Sequence, residues 1–570
     1  MKKRFTLISF DLIRTEEPDI SYSIATILAY LRADVQISEQ YDIDHLSINL
    51  YREYESHFIT DIDKVIQHLD EKLIQSPDVV ALSEYIWSRN LTGPVSAYLK
   101  QRFPSVKLIL GGPEITPVRV EQISEGYPFA DHLISGYAEE ALAAILLGKK
   151  TDLLITGSPD CNRLVSPYLS KVITIHDQVK MLRWETKRGC PYRCTFCEWS
   201  QVAGRKVIEL PIERLHEELK LFSTLKNLEK INVLDGTFNT KDSYLTLMDA
   251  MGELKGITFS IQTRIEAIKG KNGDKFLENL IRYRNIFPEV GIQTIVPDEM
   301  VTIGRVENRE QAGREIEEIK RVLLFFRDNR IKYKADLIYG IPGQTKKTFT
   351  DSFRFLIDCG TKKSNISTFP LRIPKNSKIK EDDTKIRVYP MFEGCPIDIV
   401  KESSSFTAEE WKDINRKSGT MKFEFNAENS GGYGKILLAT IPKEFRLVIH
   451  SKFGYTRYKK LTIGLQVTVN TPFIRSFFPI VVRWKRVGPK EFQHIILTKS
   501  NKILIRDQKS LFSGFEYGVI RSVEKAIDPH VFDLHVDSYP SLDIARQNMG
   551  NGALLNFKYI DEKKFFSSEE

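Results

Sequence analysis

Lys187-Arg188-Gly189-Cys190-Pro191-Tyr192-Arg193-Cys194-Thr195-Phe196-Cys197 gathers three of the chain's six cysteines into eight consecutive positions. The apolar run Met181 to Thr186 just before it predicts a strand, which places Cys190, Cys194 and Cys197 on one loop at that strand's carboxyl end. Gaps of three and two residues let a short loop wrap one compact metal centre, and thiolates select zinc or iron–sulfur clusters over hard cations. A four-iron cluster normally takes four cysteines, so three leave one iron open to another ligand. A structural zinc site or three unrelated thiols are the alternatives. Zinc calls for a further Cys or His, and the nearest histidines, His176 and His216, stand 14 and 19 residues from the loop without ligand spacing.

Outward from this loop, residues 175–378 repeat strand and helix. Strands are predicted at Met181 to Thr186, Lys230 to Leu234, Thr258 to Gln262, Val290 to Ile295, Ala335 to Tyr339 and Ile366 to Leu371. Helices are predicted between them at Ile212 to Leu225, Ser243 to Leu254, Lys275 to Ile286, Gln311 to Arg327 and Lys347 to Cys359. This alternation predicts a partial (β/α)6 barrel, with chemistry on the loops at the strand ends. Residues 1–150 carry non-alternating apolar runs at Phe5 to Phe10, Val79 to Ser83, Val106 to Leu110 and His132 to Ser135, separated by helical periods. They predict a doubly wound parallel sheet with a ligand crevice at its carboxyl edge. The Ser/Pro-containing residues 151–174 read as a linker. Residues 379–570, with strand-like segments such as Ile480 to Trp484, read as an α+β domain.

Lys plus Arg exceed Asp plus Glu by 83 to 75, a surplus of 8 too dilute over 570 residues to indicate a nucleic-acid partner. The apolar opening breaks at Asp11 and Arg14, short of a membrane span, so a cytoplasmic protein without a membrane partner is expected. Six cysteines are too few for a disulfide framework. The ten histidines are scattered and offer no Ser/His/Asp or His/Cys constellation for hydrolysis. Cys161, Cys359 and Cys395 read as plain thiols.

The cysteine loop matches Cys-x3-Cys-x-aromatic-Cys, with Phe196 as the aromatic, and so resembles the radical S-adenosylmethionine (SAM) superfamily. The resemblance implies a 4Fe-4S cluster on Cys190, Cys194 and Cys197, with SAM on the open iron. Reduction by an external donor of flavodoxin or ferredoxin type would then yield methionine and a 5′-deoxyadenosyl radical. Carried over residue by residue, the resemblance brings Phe196, Asp235, Gln293 and Arg305 to the SAM site, while Gln262, Arg264 and Glu266 at the third strand are polar enough for cofactor contacts or form a satisfied cluster at the barrel rim. The resemblance sets Tyr339, Gly340 and Ile341 around the adenine.

The preceding sheet, with loops at Ser83 to Ser88, Gly111 to Glu114 and Ser135 to Glu140, resembles the cobalamin-binding domain of cobalamin-dependent radical SAM enzymes. Ser83, Tyr85, Trp87, Gly111, Gly112, Glu114 and Gly136 become the candidate cobalamin residues. No Asp-x-His-x-x-Gly loop occurs, since Asp44-His45 has the wrong spacing, so cobalamin is expected without a protein histidine as lower ligand. The implied activity is methyl transfer to an unactivated carbon of a small-molecule, natural-product or peptide-derived substrate. Rearrangement or cyclisation without methyl transfer is one alternative, and a non-enzymatic cobalamin or cluster sensor is another.

Overall fold

The computed structural model describes residues 2–50, 62–115, 126–158, 160–197, 199, 206–241, 243–373, 379, 386–390 and 398–415, and the backbone of seven strands within 444–559. Cys395 lies outside the described residues. The chain forms two compact units that divide after Ser418.

The first unit opens with a six-stranded parallel sheet of β1 (Lys3–Asp11), β2 (Tyr41–Asn49), β3 (Val79–Ser83), β4 (Lys107–Gly111), β5 (His132–Gly136) and β6 (Leu154–Gly157). Their order is β2-β1-β3-β4-β5-β6. Every residue of β3 is buried, as a strand covered on both faces requires. One core joins Ile8, Phe10, Leu82 and Leu110 to Leu91, Val95 and Leu99 of the helix Arg89–Arg102. The order reverses between β1 and β3, which opens a crevice at their carboxyl ends.

The four predicted strands are present, and β2 and β6 add to them. β6 falls within residues 151–174 and pairs with β5, so this stretch is not a free linker. The residues after β6 are packed as well. Cys161 and Tyr168 are buried, Tyr168 Oη donates to the Arg183 carbonyl, and Ser166 Oγ donates to Glu218 at 2.5 Å. The segment straps the first sheet to the second.

That second sheet starts at β7 (Met181–Trp184), followed by the short antiparallel pair β8 (Lys187–Arg188) and β9 (Ile208–Glu209). It continues through β10 (Lys230–Val233), β11 (Thr258–Thr263), β12 (Ile286–Gln293), β13 (Lys334–Tyr339) and β14 (Ile366–Pro370). The strands lie in the order β7-β10-β11-β12-β13-β14, all parallel, with β7 and β14 as edges of an open barrel. Helices Ile212–Ser223, Ser243–Gly252, Gly270–Arg282, Arg309–Asp328 and Lys346–Asp358 separate them. Leu182, Trp184, Ile231, Phe259 and Ile261 alternate along the strands and are fully buried.

β15 (Arg387–Pro390) and β16 (Asp398–Glu402) form an antiparallel pair, and a helix at 408–415 comes next. The backbone N–H of Val400 donates to the Leu371 carbonyl at 2.9 Å, fastening β16 to the chain just beyond β14.

The second unit contains β17 (Glu444–Ser451), β18 (Gly464–Asn470), β19 (Ile480–Arg486), β20 (Glu491–Thr498), β21 (Tyr517–Lys525), β22 (Val531–Tyr539) and β23 (Ala553–Tyr559). They close into a barrel in the order β17-β18-β22-β21-β23-β20-β19. Among the described residues after 379, the helical part of the expected α+β mixture is confined to position 379 and the helix at 408–415.

Candidate functional site

Each residue leading into the cysteine loop is fixed by a different partner. Trp184 Nε1 donates to Glu218 at 2.6 Å. Asp235 accepts from the Thr186 N–H at 2.8 Å, the Thr186 hydroxyl at 2.5 Å and the Lys187 N–H at 3.2 Å. Lys187 is buried, and its ammonium donates to the carbonyls of Phe238 and Thr240 at 2.8 and 2.7 Å. Burial pushes that ammonium below the ordinary lysine range. Arg188 pairs with Glu139 at 2.7 Å and Glu185 at 3.0 Å, all three buried, with its guanidinium 4.5 Å from the Tyr137 ring. Gly189 comes next at φ +93°, where a Cβ would stand 2.1 Å from the Lys206 carbonyl. Only glycine turns the chain there without strain.

Beyond this turn, Cys190 is buried and its sulfur lies 3.5 Å from the Thr237 hydroxyl. Cys194, Phe196 and Cys197 are half-buried. The loop is tied by a Cys197 N–H to Cys194 carbonyl bond of 3.1 Å and by Thr195 N–H to Ile303 carbonyl at 3.0 Å. Arg264, at the end of β11, donates to Cys194 Sγ at 3.7 Å and lies 3.9 Å over the Tyr192 ring. Glu266 bridges Arg264 at 2.9 Å and Arg305 at 2.6 Å. Burial alone would raise the Glu266 carboxyl, but Arg305 and Arg264 outweigh it and hold it below the ordinary carboxylate range.

The sequence-predicted rim residues fall into two groups. Gln262, Gln293 and Arg305 stand at the carboxyl ends of β11 and β12 or in the loop beyond. Gln262 donates to Glu289 at 2.5 Å. Gln293 adopts φ +69° where the β12–β13 register slips, a strained conformation for a residue with a Cβ. Arg305 donates to the Gly291 carbonyl, while its Nε is buried with no hydrogen-bond partner among the described residues.

Asp235, Tyr339, Gly340 and Ile341 differ from expectation. Both Asp235 oxygens are taken up by Thr186 and Lys187, so this side chain holds the loop's base instead of facing the rim. A Cβ on Gly340 would lie 3.1 Å from Trp411 Nε1 and 3.2 Å from the Val400 carbonyl. Tyr339 donates to Asn415 at 2.6 Å, and Ile341 is fully buried. The face of Gly340 read as open to adenine is therefore covered by residues that return from beyond position 398.

At the first sheet's crevice, Tyr85 and Trp87 stack with ring centroids 4.6 Å apart and planes 4° apart. Trp87 Nε1 donates to the Phe10 carbonyl at 2.9 Å, and the Tyr85 and Ser23 hydroxyls share a 2.8 Å bond. Gly112 has φ +117° and would drive a Cβ to 2.3 Å from the Glu84 carbonyl, so the β3 and β4 loops meet there as only glycine permits. Gly111 is under no such constraint, and Gly136 lies at φ +87°. Glu114 is buried and paired with Arg89 at 2.7 Å, which makes it an anchor of this loop. Ser83 Oγ is buried with no hydrogen-bond partner among the described residues.

A model of the radical SAM superfamily matches residues 184–356, from the end of β7 to the last barrel helix. Residues 184–356 form a radical SAM domain. The cobalamin-dependent radical SAM methyltransferase TokK of Streptomyces tokunonensis is 24% identical over 70% of this chain and 62% of its own length. The 2-(S-pantetheinyl)-carbapenam-3-carboxylate methyltransferase of Streptantibioticus cattleyicolor is 24% identical over 60% of this chain and 56% of its own. The chain thus spans about three fifths of the length of these curated relatives.

Two solved structures share the fold of this chain. The methyltransferase TsrM of Kitasatospora setae, with cobalamin and a [4Fe-4S] cluster bound, has a TM-score of 0.50 at 13% identity, over 69% of this chain and 82% of its own. OxsB with aqua-cobalamin has a TM-score of 0.53 at 14% identity, over 77% of this chain and 69% of its own.

Among the described residues, no three His, Cys, Asp or Glu side chains gather as closely as metal ligands do, so the protein alone does not close the thiols into a cage. The donor set nonetheless suits a cluster. Three soft thiols share one braced loop, a guanidinium faces one of them, and a buried unpartnered Arg305 Nε stands behind the same loop. The partnerless Ser83 hydroxyl at the crevice likewise suits a polar-edged ligand. No helix among the described residues is long and apolar enough to cross a membrane.

The pairing of Arg188 with Glu139 does not emerge from spacing, and Arg264 and Glu266 emerge only as polar residues at a strand end, not as partners of Cys194 and Arg305. The polar run Gln262, Arg264, Glu266 at a strand end is the signal for the second pair. For the first, only the charge of Arg188 beside the cysteines hints at a role.

Proposed function

We propose that this chain is a cobalamin-dependent radical SAM methyltransferase acting on an unactivated carbon of a small-molecule, natural-product or peptide-derived substrate. The supporting observation is that the likeness to cobalamin-dependent radical SAM methyltransferases extends well beyond the radical SAM domain. The TokK match spans 70% of the chain, whereas the superfamily model spans only residues 184–356. When bound, the cluster and SAM supply a 5′-deoxyadenosyl radical and cobalamin supplies a methyl carrier.

This chain's residues hold and orient these groups. Cys190, Cys194 and Cys197 bind the cluster. Gln262, Gln293 and the free Nε of Arg305 offer polar atoms to SAM, and Phe196 shields the loop. Ser83, Gly111, Gly112 and Gly136 would admit cobalamin at the crevice, and Tyr85 and Trp87 would pack against it, with no protein histidine among the residues that hold it. An external donor of flavodoxin or ferredoxin type supplies the electron, and residues beyond 379 choose the substrate.

Anaerobically reconstituted protein given SAM and a strong reductant is expected to release 5′-deoxyadenosine. With methyl-deuterated SAM, the label should appear in a methylated product. No release of 5′-deoxyadenosine sinks the reading. A second reading, cyclisation without methyl transfer, is favoured by one relative, the anaerobic magnesium-protoporphyrin IX monomethyl ester cyclase of Cereibacter sphaeroides, 24% identical over 54% of this chain. Release with the label unmoved in every product selects that reading.

Trp87→Ala is expected to lower cobalamin retention about tenfold, the loss of one buried aromatic contact of roughly 1.4 kcal/mol, and to leave the cluster's absorbance intact. Cobalamin content equal to that of the unaltered protein after gel filtration removes Trp87 from the site.

A further inference from the structure

We propose that Arg264 sets the reduction potential of the iron–sulfur cluster by placing a fixed guanidinium against the Cys194 sulfur. The inference rests on the reading of Cys190, Cys194 and Cys197 as cluster ligands and concerns what the protein does to that centre.

The guanidinium is constrained on every side. Nη1 reaches Cys194 Sγ at 3.7 Å, Nε meets Glu266 at 2.9 Å, and Nη2 donates to the Arg305 carbonyl at 2.6 Å. Its plane rests 3.9 Å from the Tyr192 ring centroid. With each nitrogen assigned and only 10% of the side chain exposed, the group cannot swing into water. Cys190 faces a neutral hydroxyl instead, that of Thr237 at 3.5 Å.

Charge accounting supports a net positive field. Glu266 is shared between Arg264 and Arg305, so two guanidinium groups and one carboxylate leave one positive charge behind the loop. Arginine stays protonated at any pH the protein survives, so the field is permanent. Reduction adds one negative charge to a cluster. An N–H donor and a cation beside a ligand sulfur stabilise the reduced form and raise the potential. Burial strengthens both effects, because little water is present to screen them. Arg264 is a positioning and tuning residue, since it acts through Cys194.

The test is a redox titration of the anaerobically reconstituted full chain, followed by the electron-spin signal of the reduced cluster. At the midpoint of the unaltered protein, Arg264→Gln should shift the reduced-to-oxidised ratio about tenfold toward oxidised, which for one electron is a 59 mV more negative midpoint. Arg264→Lys keeps the charge but loses the planar fork, so a smaller shift of the same sign is expected. A purely bracing role would lower cluster content without moving the midpoint of the clusters that remain. An unaltered midpoint in Arg264→Gln overturns the proposal. If that variant holds no cluster, an unaltered midpoint in Arg264→Lys overturns it. Absence of any cluster signal in the unaltered protein would instead defeat the ligand reading beneath it.

Discussion

Cys194→Ala is expected to yield a folded protein that holds no four-iron cluster and releases no 5′-deoxyadenosine. The fold should survive because the loop's supports are not thiols. Lys187 is anchored to two carbonyls, Gly189 makes the turn, and Thr195 is tied through its backbone to Ile303. The chemistry should not survive, because two cysteines cannot replace a set of three that already leaves one iron open. Loss of a merely supporting contact costs metal affinity roughly 10–100-fold, whereas loss of a ligand should bring bound iron and SAM cleavage to background. Iron analysis, visible absorbance and chromatography of the nucleoside products check this outcome together. Full SAM cleavage by the variant would refute the assignment of Cys194.

The second large effect is expected at Arg188. Its guanidinium is only 4% exposed and lies between Glu139, on the helix Ala138–Leu146 of the first sheet, and Glu185, at the end of β7. Burial alone would raise the Glu139 carboxyl, but Arg188 outweighs it and holds it below the ordinary range. For Glu185 burial prevails and the carboxyl is pushed up. Of the two carboxyls, Glu139 is the one whose charged form Arg188 favours over its ordinary state. Its contribution is present above its unfolded value near 4.3 and is lost as pH falls through the lower folded value.

Arg188→Leu removes the cation from two buried carboxyls, and breaking such a pair costs about 3–5 kcal/mol. Both carboxyls then rise, so the deficit should widen as pH climbs from about 5 to 8, where the unfolded chain ionises freely. Urea unfolding at the two pH values measures it. Equal stability of variant and parent at pH 8 would show that the pair does not hold the sheets together.

The elements that could be read from sequence were those whose local pattern matches their burial. The six barrel strands are short apolar runs between helical periods, and all six were placed, although β12 starts at Ile286, four residues earlier than Val290. β2 escaped because Tyr-Asp-Ile-Asp-His-Leu-Ser-Ile-Asn alternates charge with apolar groups, as suits a sheet edge. β6 escaped because four residues beside Gly157 and Pro159 carry too weak a period. The three candidate cysteine ligands stood out from their spacing on one loop. Arg264 on Cys194 and Glu139 on Arg188 did not, because 70 and 49 residues separate the partners and only the fold brings them together. Asp235 and Gly340 stand at the predicted strand ends, yet Thr186 and Trp411 occupy the sides that spacing left open.

The loop after β1 also reaches the barrel. The Glu16 carbonyl accepts from the backbone N–H groups of Lys180 and Met181 at 2.9 and 3.1 Å, and Glu17, itself buried, pairs with Arg183 at 2.9 Å. Anyone hoping to transplant the front half from a cousin, or to express the back half by itself, inherits this seam. A graft lacking acids at the positions of Glu17 and Glu139 would strand two arginines, and a solitary barrel would start life with its leading edge unzipped.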